Sequence, residues 1–322
     1  MLLRPTRRAF LKTAAAMPAF ALPRAQAFAE LGGPDSGNPS HFRFTLGEAN
    51  ITIVSDGYLS LPTNGLGVNA DPAEVQAFLA AHYLSTETNT SHSNHMIVEI
   101  GDNKILIDVG SGNRFMPTAG RLLANMDAAG IDPSSITHVV ITHAHPDHIW
   151  GVRDDFDEAI IPDAAYYLGE AEHDYWMQDG LATQVPTEMQ QFVVGAQNSI
   201  NVDGAEWELM SDGFEVVPGV RVIDTPGHTP GHMAVVVESG GRQLIALGDC
   251  MSHAYTNFAH PEWYNNFDAD GDQTVGTRTR LLDMAATDGM AVLGYHFPFP
   301  GVGHVMRDGD AYSFVPALWK FD

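Results

Sequence analysis

The sequence predicts an α/β protein, an αββα sandwich of two packed mixed sheets flanked by helices. Three observations carry that expectation. Strand-length apolar runs alternate with segments of helical period, the second half of the chain loosely repeats the alternation of the first, and several runs end in Gly, Asp or His at a strand tip. Two face-to-face sheets would gather those tips along one edge.

Taken in order, residues 28–40 are rich in Gly, Pro, Ser and Asn and read as a surface wrap. Residues 42–46 and 51–55 alternate as the strands of a hairpin. Asp71 opens a helix that runs to His82, and residues 96–100 and 105–109 form a second hairpin around Gly101-Asp102-Asn103. Asp108 and Gly110 end that hairpin. Helical spacing covers 118–129 until Gly130 stops it, and 136–141 is a strand that delivers a histidine-rich loop. Residues 169–200 read as two helices around a turn at 180–186, a helical insertion that would serve as a lid. Strands at 214–224, 233–238 and 243–248, a helix at 274–287 and strands near 290–294 and 304–315 complete a single domain over 28–322. There is no internal repeat and no low-complexity tract.

The chemistry concentrates in Thr142-His143-Ala144-His145-Pro146-Asp147-His148, three imidazoles and a carboxylate in seven residues. Alternate residues of an extended strand end project to one side, so His143 and His145 can grip one ion together while Asp147 and His148 fall past it. Pro146 fixes its own φ and biases the residue before it toward extended backbone, which suits a strand leaving into a loop before a helix begun at Asp147. The remaining donors stand at later strand ends. Residues 220–224 break into Thr225-Pro226-Gly227-His228-Thr229-Pro230-Gly231-His232, where His228 is the favoured third ligand of the first ion. A buried-strand run at 243–247 ends at Gly248-Asp249, which places Asp249 to bridge two ions. Residues 290–293 end at Gly294-Tyr295-His296, so His296 completes the second shell. Mixed imidazole and carboxylate donors suit two divalent ions, zinc foremost, with iron, manganese or cobalt as alternatives.

This His-x-His-x-Asp-His loop, followed by a lone His, an Asp and a last His, resembles the metallo-β-lactamase superfamily across nearly the whole of the chain beyond its first 27 residues. The resemblance implies that His143, His145 and His228 hold one metal, that Asp147, His148 and His296 hold the other, and that Asp249 bridges them. Ser55-Asp56-Gly57, His228-Thr229-Pro230-Gly231-His232 and Phe297-Pro298-Phe299-Pro300-Gly301-Val302-Gly303-His304 look like the methyl parathion hydrolase branch, related to lactone and aryl-ester hydrolases. By that likeness Phe115, Trp176 and Phe192 would line an aromatic pocket, with His253 as a further pocket residue. Cys250-Met251-Ser252-His253 is more polar than the aliphatic run the branch carries there.

The expected function is that of an exported dinuclear hydrolase. Two ions roughly 3.5 to 4 Å apart would share one water, lower its pKa toward neutrality and present a bridging hydroxide to a carbonyl or phosphoryl centre. Asp147 and Asp249 are the catalytic carboxylates in this reading, with Asp147 orienting the nucleophile or moving a proton. Neutral esters, lactones or aryl esters, are the expected substrates, with phosphotriester cleavage as a side activity. The alternatives are a β-lactam hydrolase and a mononuclear-iron oxidoreductase of the persulfide dioxygenase kind. Zinc β-lactamases generally lack the bridging Asp, and a metal count separates the second alternative. His232 is expected to support the His228 turn, and His304 to be structural.

Composition narrows the partners. A net charge of −24 repels phosphate backbones and argues against nucleic acid as substrate, and it disfavours an anionic tripeptide thioester. Neutral small molecules fit better, and a homodimer that closes one pocket with another subunit's loop fits the same expectations. Thr6-Arg7-Arg8-Ala9-Phe10-Leu11-Lys12, an Ala-rich stretch and Ala25-Gln26-Ala27 read as a twin-arginine export signal over 1–27, which implies recognition by the twin-arginine machinery and a periplasmic location. No run approaches the roughly 18 apolar residues of a membrane span. Cys250 is the single cysteine, so no intrachain disulfide forms, and adjacent strand residues facing opposite ways make it a buried small residue rather than a ligand.

Overall fold

A computed structural model of the chain describes residues 37–320. The export signal expected over 1–27 lies outside the described residues. Two seven-stranded sheets form the body. The first holds, in spatial order, β1 (His41–Leu46), β2 (Ala49–Pro62), β3 (Thr88–Ile100), β4 (Asn103–Ile107), β5 (His138–Ile141), β6 (Ala165–Gly169) and β7 (Trp207–Met210). The second runs from β8 (Glu215–Val217) through β9 (Val220–Asp224), β10 (Met233–Ser239), β11 (Arg242–Ala246), β12 (Ala291–Leu293) and β13 (Val302–Asp308) to β14 (Ala311–Pro316). Pairing is antiparallel except along β4 to β7 and between β11 and β12, so both sheets are mixed.

Alternation along the strands explains why their sequences are apolar at nearly every position. On β4, Ile105 and Ile107 face the layer between the sheets while Leu106 faces the helices; on β10, Val235 and Val237 face inward while Ala234 and Val236 face out. Both faces of the central strands are therefore buried, which continuous Val/Ile/Leu runs allow and simple alternation would not. The outer face of the first sheet is covered by α2 (Leu122–Ala128), α4 (Glu170–Trp176) and α5 (Thr187–Ile200) through Met126, Trp176, Val193 and Ala196. The outer face of the second is covered by α6 (Thr256–Ala259) and α7 (Gly271–Asp288) through Phe258, Leu281 and Leu282. Two further helices complete the fold, α1 (Pro72–Ala81), capped by Asp71 and packed on Trp263, and the short α3 (Pro146–Ile149).

Two local expectations are corrected. The helix anticipated from 118 begins only at Leu122, because the Asp56 carboxylate takes the Gly120 and Leu122 N–H groups and the Thr118 carbonyl accepts from Tyr58 N. The single strand anticipated over 214–224 is a tight β8–β9 hairpin turned at Gly219, φ 88°. Strands β6 and β7 carry no separate sequence signal beside the helices they flank. They run parallel, and parallel neighbours need a crossover. Helices α4 and α5 are that crossover, and Trp176, Phe192, Val193 and Ala196 pack the segment at 169–200 into the core.

Candidate metal centre

All seven predicted ligands lie beyond the C-terminal ends of strands, on one edge of the sandwich. His143 and His145 follow β5. Asp147 and His148 sit in α3, whose Pro146 occupies the first turn and whose N-cap is His145. His228 stands in the turn between β9 and β10, Asp249 in a 3-10 turn after β11, and His296 after β12. All seven are buried, from fully enclosed for His143 and His148 to 7% exposed for His296.

Donor atoms of His143, His145 and His228 lie within 4.8 Å of one another, and so do those of Asp147, His148 and His296. The Asp249 carboxylate sits between the sets: Oδ2 is 3.4 Å from His228 Nε2 and 3.0 Å from His296 Nε2, and Oδ1 is 3.3 Å from His148 Nε2. The geometry therefore gathers two three-residue sets with a carboxylate in contact with both.

The lone pairs in this cluster have no protein partners sufficient to satisfy them. His143 Nε2, Asp147 Oδ2, His148 Nε2 and Asp249 Oδ1 are buried without a hydrogen bond, a cost that ordinary packing avoids. His145 Nδ1 and His228 Nε2 face each other at 2.9 Å. Such convergence of imidazole and carboxylate lone pairs fits two divalent ions, and zinc suits this donor chemistry.

Electrostatics separate the two sets. Burial, and then neighbouring imidazoles, hold His143 and His145 well below the usual imidazole range. Burial would also lower His148 and His296, but Asp249 with Asp147, and Asp108 for His148, outweigh it and raise both. Asp249 lies well below the usual carboxylate range: burial opposes that shift, and His296 and His148 overcome it. Protons and cations thus compete for one set of lone pairs.

The groups behind the ligands were only partly legible. Asp108 accepts from His148 Nδ1 at 2.8 Å and from Thr142 N at 2.8 Å. His296 Nδ1 donates to the His92 carbonyl, 2.8 Å. Tyr295 Oη donates to the Asp147 carbonyl at 2.5 Å, and its ring stacks on His148 with centroids 3.9 Å apart. His232 touches Asp249 as well as the His228 turn: its Nε2 accepts from Asp249 N at 2.9 Å while Nδ1 meets Thr225 Oγ1 at 2.7 Å, and burial foremost lowers its pKa to about 3. Glu172, which has no motif to mark it, is fully buried and accepts from Ala144 N, Trp176 Nε1, Thr229 Oγ1 and Gly231 N. Cys250 is buried, its thiol donates to the Leu247 carbonyl, and burial pushes its pKa up to about 12, so it offers no thiolate.

A cleft of about 720 Å³, counted to its open mouth, has His145, Asp147, His228, Asp249 and His296 at its floor. Of the four expected pocket residues, Phe115 and Phe192 line it, in edge-to-face contact at 5.9 Å. Trp176 does not: its indole N–H is drawn to Glu172 at 2.6 Å, and it backs His145 from the core side. His253 does not either, because its Nδ1 is turned into the start of α6, where it accepts from Thr256 N at 3.1 Å. Leu59, Leu61, Leu66, Asn265, Asn266 and Phe267 supply walls that the sequence did not mark. Beyond the predicted ligands, no charged side chain among the described residues lines the cleft.

A two-sheet sandwich with a paired His/Asp ligand edge defines a class of metal-binding α/β proteins. Residues 88–311 match the Metallo-beta-lactamase superfamily, and the chain belongs to that superfamily. An N-acyl homoserine lactonase from Bacillus sp is 22% identical over 155 residues, 48% of this chain and 54% of that protein. A probable metallo-hydrolase from Mycobacterium tuberculosis is 27% identical over 182 residues, 50% of this chain and 57% of that one. The chain thus spans about half the length of the curated relatives it matches. Among solved structures, AidC, a dizinc quorum-quenching lactonase, superposes with a TM-score of 0.77 at 23% identity, covering 88% of this chain and 99% of that chain, a likeness of fold. The hydrolase AbOPH superposes with a TM-score of 0.79 at 28% identity over the same shares, 88% and 99%. No helix among the described residues is long and apolar enough to cross a membrane.

Proposed function

We propose that this protein is an exported metal-dependent hydrolase that cleaves neutral esters, lactones or aryl esters foremost, with phosphotriester cleavage as a side activity. The observation that carries this reading is the convergence of orphaned imidazole and carboxylate lone pairs at the floor of a cleft whose walls, among the described residues, bear no charge. The lactonase and metallo-hydrolase relatives support the reaction class, and the twin-arginine motif at the amino terminus supports export to the periplasm.

His143, His145 and His228 would hold one zinc ion and Asp147, His148 and His296 the other, with Asp249 shared. When bound, such a pair supplies Lewis acidity at a substrate oxygen and lowers the pKa of water toward neutrality. The protein supplies the rest. Phe115, Phe192 and Phe267 offer an apolar wall to the acyl or leaving-group arm, and the amides and hydroxyls opposite offer hydrogen bonds without selecting for charge. The Asp147 carboxylate, its Oδ2 free of hydrogen bonds, would orient the attacking water or take its proton. Tyr295 grips the Asp147 main-chain carbonyl and so holds the backbone from which that carboxylate projects.

Metal-loaded protein assayed against lactones, aryl esters, phosphotriesters and β-lactams, alongside metal analysis, tests the reading. We expect two zinc-like ions per chain, with lactones or aryl esters turned over fastest and His145→Ala and Asp249→Ala inactive yet folded. Dominant β-lactam turnover, a single iron per chain, or unchanged ester rates in both variants would overturn it.

A further inference from the structure

We propose that Asp268 is a positioning residue for the metal position formed by His143, His145 and His228, and that it sets affinity there separately from the other position; this rests on the dinuclear reading given above. Asp268 Oδ1 accepts from His228 Nδ1 at 2.9 Å, which leaves Nε2 directed at the cluster. The Asp268 side chain is 1% exposed and that of His228 2%, so the contact is shielded from water and from competing donors.

Local backbone geometry explains why the two meet. Ala269 N donates to the His228 carbonyl at 3.0 Å and Asp270 N to the Gly227 carbonyl at 2.9 Å, pinning the segment after Asp268 against the His228 turn. On the other side, Asp268 Oδ2 accepts from Asn265 N at 2.8 Å, while Asn265 Oδ1 accepts from Phe267 N at 3.0 Å. The Asn265-Asn266-Phe267-Asp268 turn is therefore locked by its own side chains before it touches His228. Behind it, Arg278 on α7 is fully buried, with a guanidinium nitrogen 3.9 Å from Asp268 Oδ2, and it is held by the Cys250, Pro261 and Trp263 carbonyls. A carboxylate held in this way, accepting from Nδ1, fixes the tautomer and the orientation of the imidazole it holds.

The arrangement divides the centre in two. One set carries a carboxylate-braced imidazole in His228 through Asp268, and the other carries one in His148 through Asp108. Asp268 makes no hydrogen bond to a donor of the second set, whereas Asp108 also reaches His143 of the first set through the Thr142 hydroxyl. Removing the Asp268 brace should therefore loosen one position and spare the other.

The test is a zinc competition titration of the whole chain against a chromophoric chelator, with cobalt(II) absorption as a second readout and thermal unfolding of the metal-free proteins as a control. Wild type is expected to bind two equivalents. In Asp268→Ala one of the two affinities should fall about 10 to 100-fold with the other unchanged, and Asp268→Asn, which keeps an acceptor oxygen, should fall between. Asp108→Asn should weaken the complementary position. If Asp268→Ala does not fold, Asp268→Asn decides the matter alone. Two unchanged affinities, or equal loss at both positions, would overturn the inference. A merely structural role would lower metal-free stability without separating the two affinities. Failure of wild type to bind two equivalents would instead sink the dinuclear reading itself.

Discussion

Asp108 holds His148 by a 2.8 Å hydrogen bond to Nδ1, and it does so from a left-handed backbone conformation, φ 58°. Aspartate reaches that region more readily than most residues, though still at a cost. The turn after β4 sets this conformation so that one carboxylate reaches both His148 and the backbone and hydroxyl of Thr142. A strained residue with every acceptor engaged at a ligand is the signature of a position over-determined by its surroundings.

From this contact we expect Asp108→Ala to destabilise the metal-free protein by about 3 to 5 kcal/mol, because it strands the Thr142 N–H and a raised-pKa His148 in the core. Asp108→Asn keeps an acceptor and tolerates the same φ, so about 1 to 3 kcal/mol is expected. Urea denaturation of both variants checks the order; equal losses would show that the backbone, not the carboxylate, dominates.

Glu172 gives a second prediction. Its two oxygens tie the Ala144 N–H, between His143 and His145, to Thr229 and Gly231 beside His228. Burial raises its pKa even against four hydrogen bonds. Glu172→Gln turns an N–H₂ toward at least one fixed N–H donor and should cost about 1 to 3 kcal/mol. A Cβ on Gly231 would stand 2.0 Å from Glu172 N, a backbone atom with nowhere to go, so Gly231→Ala should displace the His228 turn and lose metal as well as stability. A Gly231→Ala protein with wild-type zinc content would refute this account.

The ligand set was legible in the sequence because each member ends an apolar run or sits in one dense loop, and strand ends on a sandwich edge have to converge. Asp268 and Glu172 were not legible. Each reaches its partner across a long stretch of chain, 40 residues from Asp268 to His228 and 57 from Glu172 to Thr229, and nothing in a carboxylate's neighbours announces such a contact. Trp176 and Phe192 were indistinguishable in the sequence, both aromatics on helices. Only the Glu172 acceptor that draws the Trp176 indole inward separates the core residue from the cleft residue. The strands β6 and β7 escaped notice because the helices between them dominate the local pattern, and pairing along a sheet edge is not a local property.

Acid sensitivity offers a third prediction, at a site away from the metal ligands. Burial, with a smaller contribution from His82, lowers His253 to about 4 from the ordinary 6.5. The unfolded chain then binds a proton on this residue between about pH 6.5 and 4 that the folded chain refuses. Stability from this group is complete above 6.5 and is lost as pH falls toward 4, with a slope of about 1.4 kcal/mol per unit at most. His253→Gln should flatten the stability profile over that window, whatever it does to the plateau at pH 7. Denaturant unfolding at pH 5 and pH 7 measures the difference, and an unchanged slope would rule out His253 as its source.

The cleft wall yields the last prediction. Phe192 is 7% exposed, lies edge-to-face with Phe115 and stacks near Phe267 at 20° with centroids 6.4 Å apart. In Phe192→Ala the two remaining rings keep the outline of the wall but lose its centre, so an aryl or acyl arm should bind more weakly without any change at Asp147 or Asp249. Loss of one apolar contact of this size is worth about 1 to 3 kcal/mol, so KM for an aryl ester should rise about 10-fold or more. With kcat held, that is the behaviour of binding energy used equally in ground and transition states. Phe192 also stands 6.0 Å from the His145 ring, and this supplies the discriminating outcome. A fall in kcat with KM unchanged would mean that Phe192 acts by steadying His145 rather than by receiving the substrate, and Phe192→Leu, which refills most of the volume against His145, should then restore the rate.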